Sequence, residues 1–222
     1  MNKESELDKL FGEWRKNDES FCRDGVADWK LYEQSRPRLL YLLKEVNDPR
    51  GGMSDLITEV VRKGKYGPTF NNLTRWTRGI RNLPGDTPWV SQLIEISDDE
   101  RRLQLASVGV MNIKKSPGGG STPIGSIQEI ARKDAGFLRR QLEIFEPDLT
   151  ICCGTGTADA IEVVLGEERK PSWRHTSRGI RWFDLGRGGQ VIDYFHPQAH
   201  IDARLLHYGI VDAVRELMRE LN

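Results

Sequence analysis

Short, mostly apolar runs that alternate with helix-periodic segments are the feature that most constrains this chain. The runs occupy residues 39–46, 108–113, 149–153 and 191–195. Apolar runs of this length indicate strands that are covered on both faces, as in a parallel sheet. Helical segments between the runs would supply the crossover connections. The pattern predicts an α/β fold with three layers, α/β/α, around a central, mostly parallel sheet, formed as a single domain over residues 1–222.

Spacing and capping signals predict where the helices lie. The helix-periodic segments are residues 4–16, 72–82 and 201–221. Two Ser-x-x-Glu capping boxes, at residues 97–100 and 126–129, predict further helix starts. The second box is expected to open one long helix that runs to about Phe145 and stops before Pro147.

Composition narrows the class of protein and the compartment. The sequence contains 33 basic and 33 acidic residues, and this balance counts against binding of nucleic acid through a net positive charge. No apolar run approaches the ~20 residues that span a bilayer, and the acidic, polar start contains no signal region. Three cysteines, two of them adjacent, cannot form a disulfide framework. We therefore expect a cytoplasmic protein that has no membrane partner.

Polar residues follow each apolar run at the point where the predicted strand ends. The residues concerned are Glu45, Asn47 and Asp48 after the first run, Asn112, Lys114 and Lys115 after the second, the turn 154–156 after the third, and His196 after the last. Right-handed crossovers place the carboxyl ends of parallel strands on one edge of the sheet, where such folds bind ligands. The sequence therefore predicts one cleft that contains these residues.

Four short motifs occur in a fixed order along the same strand ends. They are Leu-Lys-Glu-Val-Asn-Asp-Pro at residues 43–49, Gly-Pro-Thr-Phe at 67–70, Val-Gly-Val-Met-Asn at 108–112, and His-Pro-Gln at 196–198. In order and placement they resemble the motifs of the uracil-DNA glycosylase-like superfamily, whose α/β/α members cut the bond between a base and its deoxyribose. The resemblance covers residues 38–217. It departs from the family pattern at Lys44, where a glycine is usual, and at Gln198, where a serine is usual.

The resemblance implies a role for each motif. Glu45 or, in the alternative register, Asp48 would stabilise the sugar cation or activate water, and Glu45 is preferred because it is nearer the strand end. His196 would stabilise the departing base as an anion. Asn112 would read the edge of the base together with Asn47, and Phe70 would stack on its face. No cofactor is implied, and three cysteines cannot supply the four ligands of the iron–sulfur cluster that some branches hold.

Each site residue also has a structural alternative. Glu45 could pair with Lys44 at the surface, Phe70 could anchor the following helix, Asn112 could cap its own turn, and His196 could be a hydrogen-bonded core residue. The turn 154–156 partly matches a dinucleotide-binding motif, but Asp159 stands where the third glycine belongs. His196 and His200 have a metal-ligand spacing that Pro197 interrupts, so no metal is expected.

Three functions remain open at this point. The first is a base-excising glycosylase that acts on DNA, the second a non-catalytic protein of the same fold that binds nucleotide or nucleic acid, and the third a hydrolase of small nucleosides or nucleotides. A basic rim around the strand ends would favour DNA, and a pocket without that rim would favour a small ligand. The predicted rim consists of Lys114, Lys115 and Arg75, with Arg78 and Arg181.

Overall fold

A mixed sheet of seven strands organises the protein, whose computed structural model describes residues 2–17, 20–48, 52–119, 122–186 and 189–220. The strands are β1 (Gly25–Val26), β2 (Leu39–Leu43), β3 (Gly109–Asn112), β4 (Leu149–Cys153), β5 (Arg174–His175), β6 (Arg181–Gly186) and β7 (Gly189–Tyr194). Their order across the sheet is β1-β3-β2-β4-β7-β6-β5. The central four, β3, β2, β4 and β7, are mutually parallel, and the outer strands pair antiparallel.

Helices cover both faces of this sheet. Along the chain they are α1 (Lys3–Trp14), α2 (Trp29–Gln34), α3 (Pro68–Arg81), α4 (Trp89–Gln92), α5 (Asp98–Ala106), α6 (Ile124–Lys133), α7 (Ala135–Phe145), α8 (Thr157–Leu165) and α9 (Ala203–Glu220). A π-helical turn at Thr58–Arg62 lies between β2 and α3, and short 3₁₀ turns occupy Arg15–Asn17 and Glu167–Arg169. The predicted three-layer α/β/α fold is confirmed.

Alternation along the strands divides the core into two halves. Tyr41 and Ile151 point to the layer that contains α3, α5 and α9. Leu40 and Cys152 point to the layer that contains α1, α6, α7 and α8. All five residues of β2 and all five of β4 are buried, as the apolar runs predicted.

Two predicted boundaries were wrong. The first strand ends at Leu43 rather than at residue 46, because residues 44–48 leave the ladder and bond to the loop that follows β3, through Gly118 among others. The long helix predicted from residue 126 begins earlier, at Ile124, and is two helices, because the backbone of Asp134 (φ −103°, ψ 11°) leaves the helical region.

The helix start predicted at Ser97 was correct. Ser97 caps α5 by accepting a hydrogen bond from the backbone N–H of Glu100 at 3.1 Å. Gly166 follows α8 with a positive φ of 78°, as a C-cap glycine does. In the part of the chain that the structure describes, no helix combines the length and the apolar character needed to cross a bilayer.

Candidate functional site

A large cleft lies at the carboxyl ends of the central parallel strands. Its volume is about 980 Å³. Five of the predicted site residues line it: Glu45, Asn47, Phe70, Asn112 and His196. Further walls come from the π-helical turn, the start of α3 and the glycine turn 154–156. The structure brings these five residues together at one edge of the sheet, and their chemical roles stay predictions.

Glu45 is held by an ion pair at the floor of the cleft. Its Oε2 lies 2.6 Å from Lys114 Nζ, Thr122 donates its backbone N–H to Oε1 at 3.3 Å, and the side chain is only 3% exposed. Burial raises the pKa of this carboxyl, but the hydrogen bonds and the charge of Lys114 outweigh burial and hold the pKa below its ordinary value. The carboxylate thus stays ionised, and its partner is Lys114 rather than the neighbouring Lys44.

The loop after β3 fits closely around that ion pair. A Cβ added to Gly118 would lie 2.0 Å from Glu45 Oε2 and 2.8 Å from Lys114 Nζ. Only glycine can pass so close to the pair without displacing it. The chain at residue 118 therefore fixes where the carboxylate lies.

Asp48 points away from the cleft. Its Oδ2 accepts the backbone N–H of Met53 at 2.9 Å, and the residue does not line the cavity. Asn47 is exposed and does line it. Between the two registers of the first motif, the geometry favours Glu45 as the carboxylate that faces the cleft. Pro49, the end of this motif, lies outside the described residues.

His196 is oriented by its own loop. Its Nδ1 accepts the backbone N–H of Gln198 at 3.1 Å. A nitrogen that accepts is unprotonated, so the neutral ring carries its hydrogen on Nε2 and can donate from there. Burial, and to a smaller extent the Lys44 ammonium, lower the pKa of His196. The ring is therefore neutral at physiological pH.

Gly154 makes room for this histidine. Its φ is +91°, in the left-handed region that favours glycine, and a Cβ there would lie 3.1 Å from His196 Cβ. The glycine turn after β4 thus places the imidazole.

Asn112 ends β3 inside the protein, and its side-chain oxygen has no hydrogen-bond partner. The residue is 1% exposed, its backbone N–H donates to Asp24 Oδ2 at 2.6 Å, and its Nδ2 lies 3.4 Å from the same oxygen. Oδ1 is buried and unpartnered among the described residues, so it does not cap a turn. Asn112 lines the cleft, and a buried carbonyl oxygen without a donor on such a residue is the kind of atom that a ligand satisfies.

Phe70 and Lys44 complete the lining that bears on ligand binding. Phe70 is half-buried in the first turn of α3, where it both packs on the core and lines the cleft. Both of the roles weighed for it are therefore compatible with its position. Lys44 lines the cleft as well, and its ammonium has no acidic partner among the described residues.

The residues predicted to form a basic rim around the strand ends do not form one, so their assignment to that rim is corrected. Lys115 is 2% exposed and bonds to Asp24, because it follows β3 on the side that faces the core. Arg75 does not line the cleft; its guanidinium bonds to the Leu93 carbonyl and stacks on Trp89 with 5.0 Å between guanidinium carbon and ring centre.

The other rim residues also have partners within the protein. Lys114 is paired with Glu45, and Arg78 bonds to the Gln92 carbonyl at 2.9 Å. Arg181 does line the cleft, but it is paired with Asp193 at 2.6 Å. Within the five predicted positions, no cation is left free for a phosphate chain.

Neither metal ligands nor reactive thiols are apparent. Among residues 2–17, 20–48, 52–119, 122–186 and 189–220, no three His, Cys, Asp or Glu side chains cluster as a metal site would require. Cys152 and Cys153 are fully buried, and burial raises the pKa of both thiols. They pack as small apolar side chains.

Sequence reasoning missed two residues that shape the site. Asp24 lies 88 positions before Asn112 in the chain, and no local pattern links the two. Lys44 was noted as a departure from the family motif and as a possible surface partner of Glu45, whereas it is a cation in the cleft. Its position directly after a buried strand was the signal that could have identified it.

No protein-family model matches the chain, and no curated protein matches its sequence significantly.

Proposed function

We propose that this protein is a base-excising N-glycosylase related to the uracil-DNA glycosylase-like superfamily, which hydrolyses the bond between a base and its deoxyribose. The observation that carries the proposal is that Asn112, whose buried Oδ1 has no hydrogen-bond partner among the described residues, lines the same cleft as His196 and Phe70. An aromatic face, an amide and a neutral imidazole are the groups that hold a flipped base and stabilise it as it leaves. The order of the four motifs along the strands supports the family relationship.

The proposed reaction breaks the bond between C1′ of the sugar and the ring nitrogen of the base. The bonding electrons leave with the base, and His196 donates a hydrogen bond from Nε2 to the anion that forms. Glu45 stabilises the positive charge on the sugar until water adds at C1′ and releases a proton. Because the pKa of Glu45 is lowered, its carboxylate is charged throughout the neutral range.

Two specific observations favour the alternative functions, a small-molecule hydrolase and a non-catalytic binding protein. The partners found for Lys114, Lys115 and Arg75 favour a small nucleoside or nucleotide over a long strand as substrate. The ion pair that engages Glu45 favours a protein that binds a nucleobase without turnover, since a carboxylate tied to an ammonium is a weak base. We also propose a cytoplasmic location, which the three unpaired thiols support.

The test is a search for released base. Nucleosides, their monophosphates, and single- and double-stranded oligonucleotides that carry uracil, hypoxanthine or other altered bases would be incubated with the full chain. Chromatography detects free base, and alkaline cleavage detects abasic sites in the oligonucleotides. Release of base from an oligonucleotide supports the DNA glycosylase, and release from the monomers alone supports the small-molecule hydrolase. Binding without release from any substrate supports the non-catalytic protein.

A further inference from the structure

A buried polar network lies beneath the cleft, next to Asn112. Asp24 is at its centre: its Oδ2 accepts from Lys115 Nζ at 2.6 Å, and its Oδ1 accepts from Gln141 Nε2 at 2.7 Å. Lys115 Nζ also donates to Gln141 Oε1 at 2.8 Å. The side chains of Asp24 and Lys115 are 0% and 2% exposed. These residues therefore form a closed set of hydrogen bonds that does not itself reach the cleft.

This network restricts how the Asn112 side chain can turn. Asp24 Oδ2 accepts the backbone N–H of Asn112 and faces its side-chain Nδ2. An ionised carboxylate has no hydrogen to donate, and Lys115 is the cation that balances its charge. If the amide of Asn112 were reversed, its oxygen would face the carboxylate oxygen and the two would repel. The amide nitrogen is thus kept toward Asp24, and Oδ1 is left without a partner.

We propose that Asp24 is a positioning residue, which orients the Asn112 amide so that its oxygen meets the ligand and thereby selects ligands that present an N–H at that point. This inference rests on the proposed function, because it assumes that a nucleobase occupies the cleft. His196 offers a hydrogen from Nε2, so the matching base edge combines a ring N–H with a neighbouring carbonyl oxygen. A base whose ring nitrogen has no hydrogen at that edge leaves Asn112 Oδ1 unsatisfied.

Methylated bases test the requirement for this N–H directly. One pair of probes is 1-methyluracil and 1,3-dimethyluracil, and a second is 9-methylhypoxanthine and 1,9-dimethylhypoxanthine. Within each pair only the ring N–H beside a carbonyl is replaced by N–CH₃. Calorimetry or NMR titration of the full chain should show tighter binding of the N–H form in at least one pair, by about tenfold or more, the effect expected for one buried group left without its hydrogen bond.

Variants of the network separate positioning from folding. In Asp24→Ala the oxygen that faces Asn112 Nδ2 is absent, so the Asn112 side chain is free to turn. The double variant Asp24→Ala, Lys115→Met also removes the unbalanced ammonium and keeps the test available if the single variant does not fold. The ratio of the two dissociation constants is the readout, since a loss of stability alone lowers the folded fraction equally for both probes. We expect the ratio to fall below about threefold in folded variant protein.

The outcomes distinguish this inference from the proposed function. If the wild-type protein binds both forms of each pair equally well, or if the folded variants keep the full ratio, the role of Asp24 is refuted while nucleobase binding stands. If no probe binds and no base is released from any substrate in the activity assay, the proposed function fails, and the inference fails with it. As a control, Asn112→Ala should bind the two forms of each pair alike, because it lacks the oxygen that discriminates.

Discussion

Replacing Lys115 by methionine should destabilise the protein strongly, although the residue was first assigned to a surface rim. The substitution keeps the length of the side chain but removes the ammonium that lies 2.6 Å from Asp24 and 5.0 Å from the Trp14 ring centre. It leaves the buried Asp24 carboxylate with only neutral donors from Asn112 and Gln141. Removing one partner of a buried ion pair typically costs ~3–5 kcal/mol. That is a large part of the ~5–15 kcal/mol by which domains are stable.

Urea unfolding followed by circular dichroism measures this loss. The double variant Asp24→Asn, Lys115→Met removes both charges and should recover most of the lost free energy of unfolding. Lys9→Met, at an exposed position on α1, is the matched control and should change stability by no more than about 0.5 kcal/mol. A loss in Lys115→Met as small as that of the control would refute the buried pair. The rim assignment predicts that small loss, together with weaker binding of DNA.

Three further predictions follow from buried or closely packed groups. His207 is 1% exposed, and burial, assisted by Arg75, lowers its pKa from 6.5 to about 4. As the pH falls, the imidazole is therefore protonated in the unfolded chain at a higher pH than in the folded protein. The free energy of unfolding is unaffected above pH 6.5 and falls by about 3 kcal/mol by pH 4. Denaturant titrations of wild type and His207→Gln should diverge over that interval, and parallel curves would contradict the assignment. Gly118→Ala should displace the ion pair of Glu45 and lower the rate of base release by an order of magnitude or more. Gly119→Ala is the control, because that position has open space around it, and it should leave the rate unchanged. Equal rates of base release by the two variants would argue against a role for the ion pair. Phe70→Ala should weaken binding of a base by ~1–3 kcal/mol in a calorimetric titration, and unchanged affinity would leave Phe70 only its packing role.

The sheet could be predicted from sequence because strands that are buried on both faces consist mostly of apolar residues. The strands at residues 149–153 and 109–112 are mostly apolar and fully buried, and the polar residues at their ends meet at one edge, as parallel topology requires. Glu45, Asn112 and His196 were located by that reasoning, without knowledge of their neighbours. The parallel topology alone brings these three residues together, so the pattern of the strands was sufficient to locate them.

Long-range polar pairing could not be predicted in the same way. Lys115 follows a strand end just as Lys114 does, yet its side chain is buried while that of Lys114 is 21% exposed. The difference depends on Asp24, far away in the sequence, which supplies the opposite charge inside the protein. The helix break at Asp134 was missed for a related reason, since the apolar periodicity on either side of it continues and only the backbone changes.

The central claim, that the cleft excises a base, is tested most directly by His196→Ala. The rate of base release is measured in single turnover, and the affinity for the substrate is measured separately on the same protein. His200→Ala is the matched control, because His200 is exposed in the same loop and does not line the cleft. We predict that His196→Ala slows release by about a hundredfold or more while affinity changes little, because its hydrogen bond strengthens only as the base becomes an anion. Base release by His196→Ala at the wild-type rate, or a loss confined to affinity, would contradict the account.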